Sequence, residues 1–167
     1  NAKVAVIEFF DYQCVFCSRF APELEKVMKA QPDVRYLFKE WPIFGGRWEA
    51  SLQAAQQGLT VWQKKGPQAY VTYHNAIYAT GHNEGKLTAE DIHGAASKAG
   101  LTTPAPGDHT ASLEKNSNLA EALGLTGTPG IIVMPVSGAT PDTITVFPEA
   151  VTAEKLQAAI RKATRVK

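Results

Sequence analysis

The chain has 167 residues, enough for one domain or for one domain carrying a sizeable insertion. Apolar residues make up 44%, which fits a globular chain with a real core, and a net charge of +1 gives no electrostatic case for nucleic acid or a membrane surface. No apolar run approaches the roughly 20 residues of a membrane-spanning helix, and the only two cysteines lie in one short motif, which excludes a disulfide-stapled scaffold.

The chain enters a strand almost at once. Val4 to Phe10 is nearly continuous in apolar residues, the pattern of a strand covered on both faces. Glu8 interrupts it, and a carboxylate there is costly unless it is paired or functional. Asp11-Tyr12-Gln13 turns into Cys14-Val15-Phe16-Cys17, which opens a helix through Met28. Phe20, Leu24, Val27 and Met28 share one face of that helix, and Pro22 lies inside it, unable to donate to Ser18. Val34 to Lys39 reads as a second strand, so strand, helix and strand form a right-handed parallel unit.

Glu40 to Trp48 is a loop rich in aromatics and glycines. Helical periodicity then covers Ala50 to Trp62, Pro67 to Ala79, Thr88 to Ala99 and Asp108 to Leu123. Glycine-rich breaks at Gly66-Pro67, Gly81 to Gly85 and Gly100 to Gly107 separate these helices, and Thr88 with Asp91 resembles a capping pair. Thr126-Gly127-Thr128-Pro129-Gly130 is a tight turn into the strand Ile131 to Met134. Thr143 to Phe147 reads as its antiparallel partner, and a closing helix runs from Thr152 to about Thr164. The expected architecture is α/β, with 1–49 and 119–167 forming the frame and 50–118 an inserted helical subdomain.

A C-x-x-C pair at a strand-to-helix junction puts its first thiol at a helix N-terminus, where free N–H groups and the helix dipole favour the thiolate. The second thiol is one turn away, close enough to close a small disulfide ring, so the pair reads as a dithiol–disulfide switch. A zinc site needs four ligands, and His74, His82, His93 and His109 lack ligand spacing; they read as surface residues. A soft-metal site for Cu(I) on the two thiolates stays open as an alternative.

Three motifs, in order along the chain, carry a family resemblance. Glu8-Phe9-Phe10 with Cys14 and Cys17 is close to E-F-F-x-x-x-C-x-x-C, Lys39-Glu40-Trp41-Pro42-Ile43 resembles K-E-x-P-I, and Thr126-Gly127-Thr128-Pro129 resembles a cis-proline loop. With the order of elements, the chain resembles the DsbA-like thiol:disulfide oxidoreductases of the thioredoxin superfamily, with DsbG-like and ScsC-like members in view. The Val15-Phe16 dipeptide departs from the better known members. The resemblance implies a thioredoxin fold, an oxidase or isomerase of exported proteins, and no cofactor. It also implies a periplasmic location after removal of a signal peptide, unfolded or disulfide-containing substrates, and a DsbB-like or DsbD-like membrane redox partner. Oligomeric state is left open, and a peptide-binding chaperone is a further alternative.

Within that reading Cys14 is the exposed attacking sulfur and Cys17 the deeper, resolving one. Glu8 is a buried acid or base beneath the disulfide, and Lys39 in the neighbouring strand is expected to pair with it. Trp41, Phe44 and Trp48 are expected to pack between the parts of the fold. Gly127, Thr128 and Pro129 are expected to bind substrate, with the Thr128 main chain free to pair with an extended peptide. A Cys14 pKa lowered from roughly 8.5 to roughly 5 would make the pair about 60 mV more oxidising than an unperturbed dithiol.

Overall fold

A computed structural model describes residues 1–102 and 107–165 of the chain. Strand β1 (Val4–Phe10) leads into helix α1 (Val15–Ala30), and β2 (Arg35–Glu40) returns parallel to β1. Four helices follow: α2 (Glu49–Lys65), α3 (Pro67–Ala79), α4 (Ala89–Lys98) and α5 (Thr110–Ala122). Strands β3 (Gly130–Pro135) and β4 (Thr145–Phe147) and helix α6 (Ala153–Thr164) complete the fold. The sheet order is β2-β1-β3-β4, with β3 antiparallel to both of its neighbours.

The central strand β1 is covered on both faces, and its alternation decides what each face packs against. Val4 and Val6 join Phe20, Leu24 and Val27 of α1, Ile131 and Val133 of β3, and Leu156 and Ile160 of α6. The Glu23 carboxylate of α1 accepts from the Ala153 N–H at 3.1 Å, tying α6 to α1 on that face. On the other face Phe9 packs with Trp41, Leu125, Ile132 and Ala120 of α5. The Phe9 and Trp41 rings meet edge-to-face at 6.1 Å, and the Trp41 indole donates to Ser117 at 3.3 Å.

Helices α2 to α4 share a core with Phe10, Tyr12, Cys14 and Cys17 at the end of β1. A buried carboxylate fastens this part to the frame. Glu40, the last residue of β2, accepts from the Tyr12 hydroxyl at 2.8 Å and from the Tyr70 hydroxyl of α3. Burial pushes the Glu40 pKa well up, against the pull of the two tyrosine hydroxyls that donate to it. Gly58 of α2 makes the close approach to this carboxylate, since a Cβ there would meet Glu40 Oε2 at 2.7 Å.

Elements begin and end close to where the sequence places them, and the shifts have local causes. The Thr88–Asp91 capping box is formed. Strand β4 starts at Thr145 rather than Thr143, because Thr143 closes a turn onto Thr140 through its N–H and hydroxyl. Helix α5 is continuous across residues 118 and 119, and its Ala120 packs against the sheet. The expected break at 100–107 lies partly outside the described residues. The expectation for His74 is overturned. His74 is not a surface residue but is 2% exposed, because α3 turns it toward Phe10, Phe38 and Tyr78 with ring centroids 4.8–4.9 Å away. Burial lowers its pKa to about 4, leaving the imidazole neutral.

Candidate active site

The site forms where β1 ends and α1 begins. Asp11, Tyr12 and Gln13 make the turn, and all three are buried. The Asp11 carboxylate accepts from the Gln13 N–H at 2.8 Å and the Phe44 N–H at 2.9 Å, and its carbonyl accepts from the Cys14 N–H at 3.1 Å. Desolvation raises the Asp11 pKa, opposed by those N–H donors. The Gln13 side chain accepts from Gly85 N–H at 2.8 Å and donates to Ser51 at 3.3 Å, so the inserted helices hold the turn from the far side. Asp11 and Gln13 were not singled out from the sequence; an Asp two residues before the N–H that donates to its carboxylate is the signal of an Asx-type turn.

Cys14 is the N-cap of α1, and both cysteines are free thiols. Its sulfur accepts from the Cys17 N–H at 3.4 Å and donates to the Thr128 carbonyl at 3.3 Å. The Cys14 pKa is lowered from 9.0 to about 6, chiefly by a hydrogen bond from the Cys17 thiol, against an opposing desolvation cost. The Thr128 side chain and the N–H groups of Cys17 and Phe16 add to the downward pull. Cys17 behaves in the opposite way. Desolvation pushes its pKa well up, and the Cys14 hydrogen bond and the Glu8 charge push it further.

The expectation of an exposed Cys14 is corrected: the residue is 3% exposed and Cys17 is 1% exposed. The thiol is recessed because the loop before β3 covers it from one side and the α3–α4 loop flanks the helix start from another. The large side chain that does face outward is Phe16, at 55%.

Thr128 meets Cys14 across a chain separation of 114 residues, and its peptide bond to Pro129 is cis. The Thr128 carbonyl is not free in this reduced state, since it holds the Cys14 thiol. The Thr128 hydroxyl is buried with no partner among the described residues. The Thr128 side chain nevertheless contributes to the lowered Cys14 pKa, and its unpartnered hydroxyl is the donor available to a thiolate there. Open space beside Gly127 leaves room for an approaching chain.

Glu8 points to the α1 face of the sheet and is 2% exposed, and its Oε1 has no hydrogen-bond partner among the described residues. Desolvation, with the Cys14 charge second, raises its pKa from 4.5 to about 8. Lys39 does not pair with it. The parallel register sets Glu8 beside Phe38 and Phe9 beside Lys39, so the lysine extends from the opposite face. Glu8 is therefore a neutral acid at pH 7, not an ionised partner of a lysine. No group of three or more His, Cys, Asp or Glu side chains among the described residues is placed to hold a metal.

A thiol that ionises early beside one that keeps its proton, over a neutral acid, is equipped for thiol–disulfide exchange. Fold and dithiol together define a thioredoxin-fold oxidoreductase. The chain belongs to the thioredoxin family, whose model matches residues 1–162. Solved structures agree. BcfH from Salmonella enterica Typhimurium is 42% identical, over 97% of this chain and 70% of that one, with a TM-score of 0.83. The catalytic domain of Proteus mirabilis ScsC is 27% identical, over 98% and 85%, with a TM-score of 0.81. A periplasmic thioredoxin-like protein from Salmonella enterica serovar Typhimurium is 29% identical, over 98% and 86%, with a TM-score of 0.78. No curated protein matches the chain.

Two outcomes follow from these environments. The raised Glu8 pKa means that the folded protein keeps a proton the unfolded chain releases. That contribution to stability is complete below about pH 4.5 and is lost as pH rises toward about 8. Glu8→Gln removes this dependence, so its stability relative to wild type should grow by about 1.4 kcal/mol per pH unit between roughly pH 5 and 7. Urea denaturation of the reduced proteins across that range checks this, and parallel curves would contradict it. Thr128→Val should raise the Cys14 pKa by about one unit, the loss of one hydrogen bond to a charged sulfur. Thiolate absorbance near 240 nm reports it, and an unchanged or lower pKa would mean the hydroxyl does not serve the thiolate.

Proposed function

We propose that the chain is a moderately oxidising dithiol protein that passes disulfides to exported proteins in the periplasm. The carrying observation is the split between the two thiols, with Cys14 held down to about 6 and Cys17 pushed well up. A stabilised Cys14 thiolate favours the reduced state of the pair, so the disulfide is the better oxidant. Lowering one thiol from 9.0 to about 6 is worth about 1.4 kcal/mol at pH 7, or about 30 mV, before solvent screening, which makes that an upper bound. That is half the shift expected from the sequence, because burial of the sulfur opposes the hydrogen bonds. The periplasmic assignment is supported by the likeness to a periplasmic thioredoxin-like protein from Salmonella enterica serovar Typhimurium.

The steps balance without an added cofactor. A substrate thiolate attacks the Cys14 sulfur of the disulfide, the S–S bond breaks, and Cys17 leaves with the electron pair. Glu8, neutral at pH 7, gives Cys17 its proton. A second substrate thiolate then attacks the substrate sulfur of the mixed disulfide and expels Cys14 as a thiolate. The substrate gains a disulfide and loses two electrons, and the dithiol holds them. A membrane-bound redox partner of the DsbB-like or DsbD-like kind would determine whether the protein is returned to the oxidised or the reduced form. Oxidised protein serves as oxidase, and reduced protein opens wrong disulfides as an isomerase.

While Cys14 is disulfide-bonded its sulfur no longer donates, which frees the Thr128 carbonyl for an extended substrate beside Gly127. Main-chain bonds of this kind orient a peptide with little regard to its sequence, which suits a broad substrate range. The roles of the two sulfurs are tested by trapping. Cys17→Ser should accumulate mixed disulfides with disulfide-containing substrate, formed as its Cys14 thiolate attacks the substrate S–S bond and expels a substrate thiolate, and Cys14→Ser should form almost none. Equal trapping by both variants, or insulin reduction surviving in Cys14→Ser, would overturn the assignment.

A further inference from the structure

The segment between α3 and α4 reads in sequence only as a glycine-rich break. In the fold it is seated on the active-site turn. The Glu84 N–H donates to the Gln13 carbonyl at 2.9 Å, and the Gln13 side chain accepts from the N–H groups of Gly85 and Leu87. The Glu84 carboxylate reaches further and accepts from the Val15 N–H at 3.0 Å. Val15 is the first residue of α1 and the neighbour of Cys14.

The backbone is arranged to deliver that carboxylate. Glu84 has φ 54°, a left-handed conformation that is uncommon outside glycine and asparagine. Gly85 follows at φ 94°, and Trp48 lies so close that a Cβ on Gly85 would meet its Nε1 at 2.7 Å. A non-glycine residue held in this region by its surroundings marks a position where function is worth seeking.

Its consequence is electrostatic. The N–H groups of Phe16 and Cys17, in the first turn of α1, add to the stabilisation of a thiolate at Cys14. Glu84 takes the neighbouring Val15 N–H of that turn and sets a carboxylate at the same pole. Its charge already pushes the buried Asp11 carboxyl upward. The other ionisable groups around the loop do not neutralise it by contact. His82 bonds to Asp91 at 2.8 Å, Arg47 stacks on Trp48 at 4.8 Å, and Lys86 makes no ion pair among the described residues.

We propose that Glu84 is a tuning residue: its carboxylate opposes ionisation of Cys14 and makes the disulfide less oxidising than the helix terminus alone would. The inserted helical part thereby sets the redox poise of a dithiol that belongs to the frame. This rests on the reading of Cys14 as the reactive thiol.

The decisive variant is Glu84→Gln, which keeps an oxygen for the Val15 N–H and removes the charge. At low salt the ratio of Cys14 thiolate to thiol, read near 240 nm, should rise about two- to five-fold at a given pH, the span of a single charge near a helix terminus. The equilibrium constant with glutathione should move toward the reduced protein by a similar factor. Both differences should shrink at about 0.5 M salt, because the Glu84 side chain is exposed and screened. Glu84→Ala, which also loses the hydrogen bond, should move in the same direction. A Glu84→Gln protein with the wild-type titration and glutathione equilibrium would overturn the proposal, as would a shift that salt leaves unchanged. Failure of the underlying reading is seen separately, as a wild-type protein in which Cys14 does not ionise before Cys17.

Discussion

The geometry of one sulfur governs this structure. Cys14 ends a turn rather than a helix, so its sulfur can fold over the start of α1 and accept from the Cys17 N–H. The same position sets it against the Cys17 thiol, and their interaction lowers one pKa while raising the other. Two identical side chains thus acquire different chemistry from three residues of chain separation and one step in depth. Everything nearby either holds Cys14 at that point or limits how far the asymmetry goes. The Asp11 turn and the Gln13 side chain fix the entry to the helix. The Thr128 loop supplies polar groups from the far end of the sequence.

Burial has two faces here. It weakens the thiolate at Cys14, so the hydrogen bonds must outweigh a desolvation cost before the pKa falls at all. At Glu8 the same burial keeps a proton on a carboxyl whose charge would otherwise push the Cys17 pKa further up. Glu40 shows the structural use of a buried acid: shared between Tyr12 and Tyr70, it binds the active-site turn, β2 and α3 into one unit. The two acids are two residues apart across adjacent strands in register, yet one meets polar hydroxyls and the other an unpartnered site by the thiols.

Much of this was legible in the chain. The dithiol motif, the apolar strand before it and the Thr-Pro turn are local patterns, and local patterns fixed the order of elements and the core of the site. What depended on pairing register was not. Glu8 and Lys39 are both one residue from an aromatic, and only the parallel alignment of β1 and β2 shows that they face opposite ways. His74 sits on a helix whose apolar residues do not form a clean stripe, so its burial was hidden. Glu40 looked like the start of a loop, since the tyrosines that bind it lie 28 residues back and 30 residues on. Glu84 gave no signal at all, because its role comes from a left-handed backbone and a partner 69 residues away.

The central claim is that the two thiols of the reduced protein ionise far apart, with Cys14 first. The most direct measurement is a pH titration of the reduced wild type by thiolate absorbance near 240 nm, with each step assigned by selective alkylation. The account predicts one thiolate appearing near pH 6, carried by Cys14, and no second before about pH 9. Two thiolates appearing together near pH 9, or a first step belonging to Cys17, would contradict it.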